Sequence, residues 1–495
     1  MTHPTIIQGG MGIAVSNRRL ARAVSREGAL GVVSGTLLAV VLARRLASGD
    51  PSGDLRWALG KLPLPGLADR ILARYFVPGG LPADRPFPIV PRPTLEPNPL
   101  LDELTVAANF TEVFLAKEGH DGPIGLNLLE KIQLPTLASL FGAMLAGVDY
   151  VLMGAGIPRA IPRVLDRLAT GEPVDLKINV EAPPGTAPHV CQLDPTRLGW
   201  PAGAKLKRPH FLAIVSSAAL ALTLAKKAEG HVDGFVIESP IAGGHNAPPR
   251  GPQRLSPTGE PIYGPRDHPD LAEFRALGRP FWLAGGQATP AGLAAAQAAG
   301  AVGLQVGSLF ALCAESGLAK ELKSDVLRSA RAGGLDVFTD PRASPTGFPF
   351  KVARVPGTLA DPACYATRRR VCDLGYLREA VEGPDGRLVY RCPAEPVADF
   401  TRKGGDADAT EGRMCLCNGL LSAVGRAQSR RGEAEPAVVT IGGDCQAAAR
   451  LATDGGAPYR ARDVLRYLHG APDNEATPTV APQQAGAAEV TVPVG

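Results

Sequence analysis

The most informative segment of the chain reads Val236-Ile237-Glu238-Ser239-Pro240-Ile241-Ala242-Gly243-Gly244-His245-Asn246. Its apolar, β-branched beginning is typical of a buried parallel strand. The paired glycines let the backbone turn sharply and come close to a flat ligand. His245 would then stand at the carboxyl end of a strand, where α/β barrels keep their catalytic residues. A loop histidine with a purely structural hydrogen bond fits the same pattern, so the remaining sequence has to separate the two interpretations.

Composition places the chain among ordinary globular proteins. Its 495 residues are 45% hydrophobic and 20% charged, which indicates one large α/β domain with additions, or two to three domains. The 52 Lys and Arg against 48 Asp and Glu leave a charge of +4, too small an excess to indicate nucleic-acid binding. Aromatic residues make up only 5%, so no stacking surface for single strands is visible.

The amino terminus and the apolar segments bear on the compartment. Residues 1–4 carry neither the basic nor the apolar region of a secretory signal. The longest apolar stretch, residues 29–43, is too short to span a bilayer and predicts a strand followed by the start of a helix. We therefore expect a cytoplasmic protein with no membrane partner, whose eight cysteines are reduced.

Apolar runs predict nine strands, at residues 5–8, 30–34, 124–129, 150–154, 174–180, 211–216, 232–238, 280–286 and 302–308. The segments between them predict helices, one from Ser16 as N-cap to Glu27 and another with Pro158 in its first turn. A βαβ order of this kind commits the sheet to be largely parallel. If residues 174–180 belong to an insertion, eight strands remain, which is the count of a TIM (β/α)8 barrel.

The predicted organisation has three parts. Residues 1–335 form the barrel, with proline- and glycine-rich insertions at about 48–104 and 174–208. Residues 336–470 form a partly helical satellite region, in which a helix begins near Leu416 and continues to Arg430. Residues 471–495, dominated by Pro, Ala, Gln, Thr and Gly, are expected to be a disordered tail.

Glycines end the last two barrel strands. Gly285-Gly286 precedes a helix that starts near Thr289-Pro290, and Gly307-Ser308 precedes another helix. Barrels that bind phosphorylated cofactors use these two loops, because glycine N–H groups and a helix amino terminus meet the phosphate there. Tight packing of strand against helix is the alternative explanation.

These motifs together resemble a known family. Gly9-Gly10-Met11, Asn127, Ala242-Gly243-Gly244-His245, Gly285-Gly286 and Gln305-Val306-Gly307-Ser308 look like the nitronate monooxygenase (2-nitropropane dioxygenase) family of FMN-dependent TIM barrels and the related FMN-dependent enoyl-acyl-carrier-protein reductases. The resemblance covers about residues 4–335. It extends to residues 344–347 and 391–396, which are similar to longer bacterial members and to trans-acting enoyl reductases.

The resemblance implies FMN as cofactor, no metal, and His245 as the catalytic histidine. The implied flavin-binding residues are Gly9, Gly10, Met11, Asn127, Glu238, Gly243 and Gly244 near the ring, and Gly285, Gly286, Gln305, Gly307 and Ser308 toward the phosphate. The shorter nitronate monooxygenases have Ala-Pro-Met in place of Gly9-Gly10-Met11, and Gln and Glu in place of Glu238 and Ile241. The surroundings of the ring are therefore altered, and the substrate stays open.

Three functions follow as expectations. The first is oxidation of alkyl nitronates with O2 to carbonyl compounds, in which His245 takes a proton from a nitroalkane or pairs as a cation with a nitronate. The second is NAD(P)H-dependent reduction of an enoyl thioester in fatty-acid or polyketide synthesis, and the third is a non-catalytic flavin-binding scaffold. A homo-oligomer and an acyl-carrier protein stay open as partners.

The satellite region holds five of the eight cysteines, between Cys364 and Cys417. Because no Cys-x-x-Cys pair occurs among them, buried thiols explain them better than a zinc site. The basic run Arg368-Arg369-Arg370 predicts a solvated face, with a phosphate clamp as the alternative.

Overall fold

Eight parallel strands form one sheet in this computed structural model, which describes residues 3–82, 84–383, 385–430, 432–443, 445–452 and 458–471. We number these barrel strands along the chain. They are β1 Ile6–Gln8, β2 Gly31–Ser34, β3 Ile124–Leu129, β4 Tyr150–Gly154, β5 His210–Val215, β6 Gly234–Glu238, β7 Phe281–Ala284 and β8 Gly303–Val306. Their order in the sheet is β1-β8-β7-β6-β5-β4-β3-β2.

The sheet closes where β1 meets β2. Gln8 N–H donates to the carbonyl of Leu30 at 2.9 Å, and Leu30 N–H donates to the carbonyl of Ile6 at 3.0 Å. The side chain of Gln8 extends this ladder, since its Oε1 accepts the N–H of Val32 at 2.9 Å. The predicted TIM barrel is confirmed, with all eight strands in the predicted places.

The interior of the barrel is a separate apolar cluster. Side chains alternate between the two faces of each strand, so every second residue points inward. In β6, Val236 packs in the interior, whereas Phe235 and Ile237 pack against the helices. The interior residues are Ile7, Leu30, Val32, Tyr150, Leu152, Leu212, Val236, Trp282 and Ala284.

Helices surround the strands. They are Arg18–Arg26, Leu38–Ala47, Pro99–Lys117, Thr136–Leu145, Ile161–Ala169, Ala218–Lys227, Leu271–Ala276, Pro290–Ala298, Ser308–Ala311 and Lys320–Arg331. Two predicted helix starts are wrong. Asn17, not Ser16, caps the first helix, because the Asn17 side chain accepts the N–H groups of Arg19 and Leu20. Pro158 lies before the helix Ile161–Ala169, which carries a different proline, Pro162, in its first turn.

The predicted insertions contain regular elements of their own. The first holds helices Asp54–Leu59 and Leu67–Tyr75. The second holds strands Val174–Lys177 and Val190–Leu193, which pair antiparallel outside the barrel. Strand Val180–Glu181 follows the first of these and pairs with a strand of the satellite region, Glu379–Glu382.

The satellite region mixes short strands with helices. Its strands are Val337–Asp340, Phe350–Ala353, Glu379–Glu382 and Leu388–Arg391. Its helices are Pro362–Thr367, Val397–Arg402, Leu416–Ser422, Gln446–Leu451 and Ala461–Leu468, together with the 3₁₀ turn Ala407–Thr410. The 3₁₀ turns Pro195–Leu198 and Pro265–Asp267 lie earlier in the chain. The predicted helix to Arg430 is wrong, since it ends at Ser422. Apolar side chains of the region join the same buried core as the barrel helices. The predicted tail lies, from residue 472 onward, outside the described residues.

No helix in the described part of the chain combines the length and the apolar character needed to cross a bilayer.

Gly303 should be intolerant of any side chain. A Cβ there would lie 1.7 Å from the carbonyl oxygen of Thr5, which accepts the N–H of Leu304 and starts the pairing of β1 with β8. Because that obstacle is backbone, we expect Gly303→Ala to lower the free energy of unfolding by at least about 2 kcal/mol in urea titrations. Gly264→Ala is the control, since its φ of −117° is ordinary and its Cβ would meet nothing within 4 Å. Equal stability of the two variants would contradict this account of closure.

Candidate active site

A cavity of about 230 Å³ opens at the carboxyl ends of the barrel strands. Its floor is formed by residues at or next to the inward-facing positions near the carboxyl ends of the strands. Polar side chains, among them Asn127, Glu238 and Gln305, join the floor where the barrel meets the loops. The floor residues are Gly9, Ser34, Asn127, Gly154, Ile214, Glu238, Ala284 and Gln305.

Every residue named from the sequence as catalytic or flavin-binding lines this cavity. They are Gly9, Gly10, Met11, Asn127, Glu238, Gly243, Gly244, His245, Gly285, Gly286, Gln305, Gly307 and Ser308. The structure therefore brings all thirteen together, while their roles remain predictions.

The loop after β1 is shaped by one hydroxyl. Ser16 Oγ donates to the carbonyl of Gly9 at 2.8 Å and accepts the N–H of Met11 at 2.9 Å. Gln8 Nε2 donates to the same hydroxyl at 2.8 Å. This explains why the serine is not the helix cap. Gly10 packs on Asn127, whose Cβ would lie 2.2 Å from any Cβ at position 10, so a side chain here would displace the amide from the cavity.

The loop that carries His245 is held from outside the barrel. Lys351 N–H donates to the carbonyl of Gly244, and Asn246 N–H donates to that of Pro349, both at 2.9 Å. Gly244 adopts φ +81°, a conformation that favours glycine, and its N–H donates to Thr440 Oγ1 at 2.9 Å. Strand Phe350–Ala353 and the segment around Thr440 therefore fix the position of the histidine.

The His245 ring lies at the cavity wall with protein on its other sides. Its Nε2 is 2.7 Å from Ser344 Oγ, and the edge of the ring contacts Phe350, with the ring centres 4.8 Å apart. Burial lowers the pKa of His245 to about 4. The imidazole is therefore neutral at neutral pH, which supports the expected role as a proton acceptor and does not support the expected role as a cation.

Glu238 is the acidic residue of the floor. Burial raises the pKa of its carboxyl to about 8, although the ammonium of Lys351 opposes the shift. Lys351 is itself buried, and its Nζ donates to Thr339 Oγ1. At neutral pH the carboxyl is therefore protonated and can donate a hydrogen bond into the cavity.

The loops after β7 and β8 lie close to the His245 loop. Gly285 and Gly286 adopt φ +88° and +73°, and a Cβ at position 285 would lie 2.8 Å from the backbone nitrogen of Ala242. The predicted helix start is confirmed, since the Thr289 side chain accepts the N–H of Gly292 and caps helix Pro290–Ala298. Ser308 Oγ accepts the N–H of Gly442 at 2.7 Å.

The satellite region supplies residues that sequence reasoning missed. Thr440, Ile441 and Gly442 line the cavity beside Phe350. A Cβ on Gly243 would lie 2.7 Å from the backbone of Ile441, so the two segments touch backbone to backbone. The signal was present in the sequence, because Ile441-Gly442-Gly443 repeats the apolar-residue-then-two-glycines pattern of the other loops.

The polar groups of the cavity fit the donors and acceptors of FMN. Gln305 Oε1 is buried and has no hydrogen-bond partner among the described residues, so it is available to a ligand. FMN has a flat ring with donors and acceptors along one edge, which Asn127, Glu238 and Gln305 could meet. No Lys or Arg lines the cavity in the described chain, so a phosphate would depend on backbone N–H groups of the glycine loops and on Ser308.

Several other polar residues lie away from the cavity. The Arg250 and Arg266 guanidinium groups donate to the backbone carbonyls of Ser216 and Arg250, as expected for loop residues. The predicted solvated face at residues 368–370 is wrong for Arg368, whose side chain is 2% exposed and lies 2.6 Å from Glu435. That guanidinium pairs with an internal carboxylate.

The eight cysteines, all within the described residues, form no disulfide bond. Four of them, Cys372, Cys392, Cys415 and Cys417, line one small cavity of the satellite region. Burial raises the pKa of all four thiols. No group of three or more His, Cys, Asp or Glu side chains within the described ranges is arranged to hold a metal ion.

No family model and no curated protein match this chain. Among solved structures, it is similar to FabK from Thermotoga maritima, with a TM-score of 0.47 and 16% identity over 95% of this chain and 93% of that one. It is also similar to nitroalkane oxidase from Streptomyces ansochromogenes, with a TM-score of 0.43 and 16% identity over 94% of this chain and 96% of that one. For the enoyl reductase domain of MlnA from Bacillus amyloliquefaciens the TM-score is 0.35, with 13% identity over 72% of this chain and 64% of that one. Because all three TM-scores lie below 0.5, the fold rests on the strand order and the function remains a proposal.

Glu238 should make the protein less stable as the pH rises. The pKa of this carboxyl is about 8 in the folded chain and near 4.3 in the unfolded chain. Between these two pH values the folded chain keeps the proton and the unfolded chain loses it. The contribution of Glu238 to the free energy of unfolding therefore falls as the pH rises through this range. We expect Glu238→Gln to remove this loss. In urea titrations the variant should match the wild type near pH 4 to 5 and exceed it at pH 8. Parallel pH profiles for the two proteins would contradict the assignment.

Proposed function

We propose that this chain is an FMN-dependent oxidoreductase, and that it acts as a nitronate monooxygenase that converts alkyl nitronates and O2 to carbonyl compounds. The observation that carries the proposal is a neutral imidazole at the wall of a glycine-lined cavity whose floor presents the unpaired Oε1 of Gln305. FMN bound in this cavity would supply the electron transfer, which the side chains cannot perform.

The side chains would perform the remaining work. The floor amides and the glycine loops hold and orient the flat ligand and its phosphate. His245, being neutral, accepts the α-proton of a nitroalkane and so produces the nitronate. Segments 344–351 and 437–443 cover the cavity and restrict water around the histidine.

A second candidate is the enoyl-thioester reductase, and one observation favours it. Reduction of a carbon–carbon double bond needs a proton as well as a hydride, and Glu238 offers a protonated carboxyl on the cavity floor at neutral pH. Oxidation of a nitronate has no evident use for that proton donor.

One experiment separates these candidates. We expect the purified chain to be yellow and to show the absorbance of bound flavin. Under anaerobic conditions, bleaching by propionate-3-nitronate but not by NADPH supports the monooxygenase, and bleaching by NADPH alone supports the reductase. A colourless protein that fails to bind added FMN would contradict both.

His245 should be required for turnover but not for flavin binding. We expect His245→Asn to keep the flavin spectrum and to lose at least about 100-fold in kcat/KM with a neutral nitroalkane, which needs a base. A preformed nitronate should be affected less. His231→Asn is the control, because His231 precedes β6 at the opposite end of the barrel and is exposed. Undiminished turnover of the His245 variant would remove the catalytic assignment.

A further inference from the structure

A second cavity, of about 530 Å³, lies beside the first, and the proposed function does not use it. Its walls come from the loop after β3, from residues 178–181 of the second insertion and from residues 375–380 of the satellite region. Thr346 lines it as well. Since both charged and apolar residues form the walls, we expect the cavity to be filled with water.

A row of hydroxyl groups joins this cavity to the histidine. His245 Nε2 lies 2.7 Å from Ser344 Oγ, and Ser344 Oγ lies 2.8 Å from Thr346 Oγ1. Ser344 is fully buried, whereas Thr346 is partly exposed. The row therefore runs from the cavity that holds the histidine, through buried protein, to the second cavity.

The histidine needs such a route. No carboxylate among the described residues pairs with the ring, and its low pKa has burial as its only cause. A proton accepted by His245 therefore creates an uncompensated charge in a partly buried position, which is unfavourable while it stays there. The cations around the row contact other groups: Lys131 lies over the ring of Phe348, Lys351 contacts the loop through its backbone, and the guanidinium of Arg413 donates to the carbonyl of Ser344.

We propose that Ser344 and Thr346 carry the proton taken up by His245 to water in the second cavity. This inference rests on the proposed role of His245 as proton acceptor.

The transfer balances with one proton moving at each contact. One ring nitrogen, Nδ1, gains the proton from the substrate carbon, and the bond from Nε2 to its hydrogen breaks as Ser344 Oγ gains that hydrogen. Ser344 passes its own hydroxyl hydrogen to Thr346, and Thr346 passes its hydrogen to water. Each hydroxyl gains one hydrogen and loses one, the imidazole ends neutral in the other tautomer, and no electrons are transferred. The first tautomer returns after the product leaves, when Nδ1 gives its proton to water in the first cavity and Nε2 regains one through the reversed row.

The same hydrogen bonds could serve only to shape a turn, and the two roles predict different behaviour. Thr346 N–H donates to Ser344 Oγ at 3.2 Å, so a turn would persist without the Thr346 hydroxyl. A relay requires that hydroxyl and accepts any side chain that provides it. Thr346→Val removes the hydroxyl at constant shape, while Thr346→Ser keeps it.

The test measures the step that takes the substrate proton. FMN-loaded protein is mixed anaerobically with 1-nitropropane by stopped flow, and the rate of flavin reduction is measured in H2O and in D2O. We expect Thr346→Val and Ser344→Ala to lower this rate at least tenfold and to lose most of its slowing in D2O, because the Nε2 proton can no longer leave as Nδ1 takes up the substrate proton. With preformed propyl nitronate both variants should match the wild type. Thr346→Ser should stay within threefold of the wild type, and so should the control Thr358→Val, whose hydroxyl donates to the carbonyl of Val355, accepts the N–H of Ala360 and lines neither cavity.

A second measurement does not depend on turnover. Solvent exchange of the His245 Nε2–H proton, followed by NMR in protein with ¹⁵N-labelled histidine, should slow in Thr346→Val and recover in Thr346→Ser. Unchanged exchange in Thr346→Val, or equal losses in the Val and Ser variants, would overturn the relay. Wild-type protein whose flavin is not reduced by 1-nitropropane or by its nitronate would overturn the proposed function instead, and the ring N–H measurement would still test the hydroxyl path.

Discussion

The cavity depends on the short contact by which β1 closes the barrel onto β2. Two backbone hydrogen bonds and the amide of Gln8 make this contact, and the same amide donates to Ser16, which shapes the loop after β1. Because side chains alternate with a period of two, a slip of one residue in this register would turn the floor residues outward. The register that closes the sheet therefore also determines which side chains form the floor of the cavity. A buried glutamine is tolerated at this point because its carbonyl and amino groups both have partners.

Burial raises the pKa of Glu238 and lowers the pKa of His245, so both side chains are neutral at neutral pH. The carboxyl of Glu238 keeps its proton and the imidazole of His245 loses its proton. A phosphate bound between neutral walls would depend on backbone N–H groups rather than on ion pairs. The close approach of neighbouring backbones accounts for glycines around the cavity as well as conformational freedom does. At positions 243 and 285 the neighbouring backbone lies within 3 Å of where a Cβ would stand, and a side chain would separate the loops that must meet.

Much of the fold and of the candidate site could be predicted from the sequence, because parallel strands buried on both faces leave continuous apolar runs. All eight strands were found this way, and the glycines and His245 at their ends converge on one cavity. The errors have local causes. Ser16 looks like a helix cap, but a tertiary contact with the loop after β1 engages its hydroxyl. The basic run at residues 368–370 looks solvated, yet Glu435, 67 positions further along the chain, pairs with Arg368. Contacts of this kind leave no local signature in a single sequence.

The largest gap between sequence and structure concerns the satellite region, and it changes how the site has to be understood. Ser344 bonds to His245 across 99 positions, Gly442 to Ser308 across 134, and Thr440 to Gly244 across 196. Contacts so distant along the chain close long loops and therefore cost more chain entropy than local contacts do. A barrel alone could place the floor residues, but it would leave the His245 loop without the backbone bonds to Pro349 and Lys351 that fix it. The change in composition near residue 335 predicts a boundary there, whereas the cavity is lined by residues of both the barrel and the satellite region.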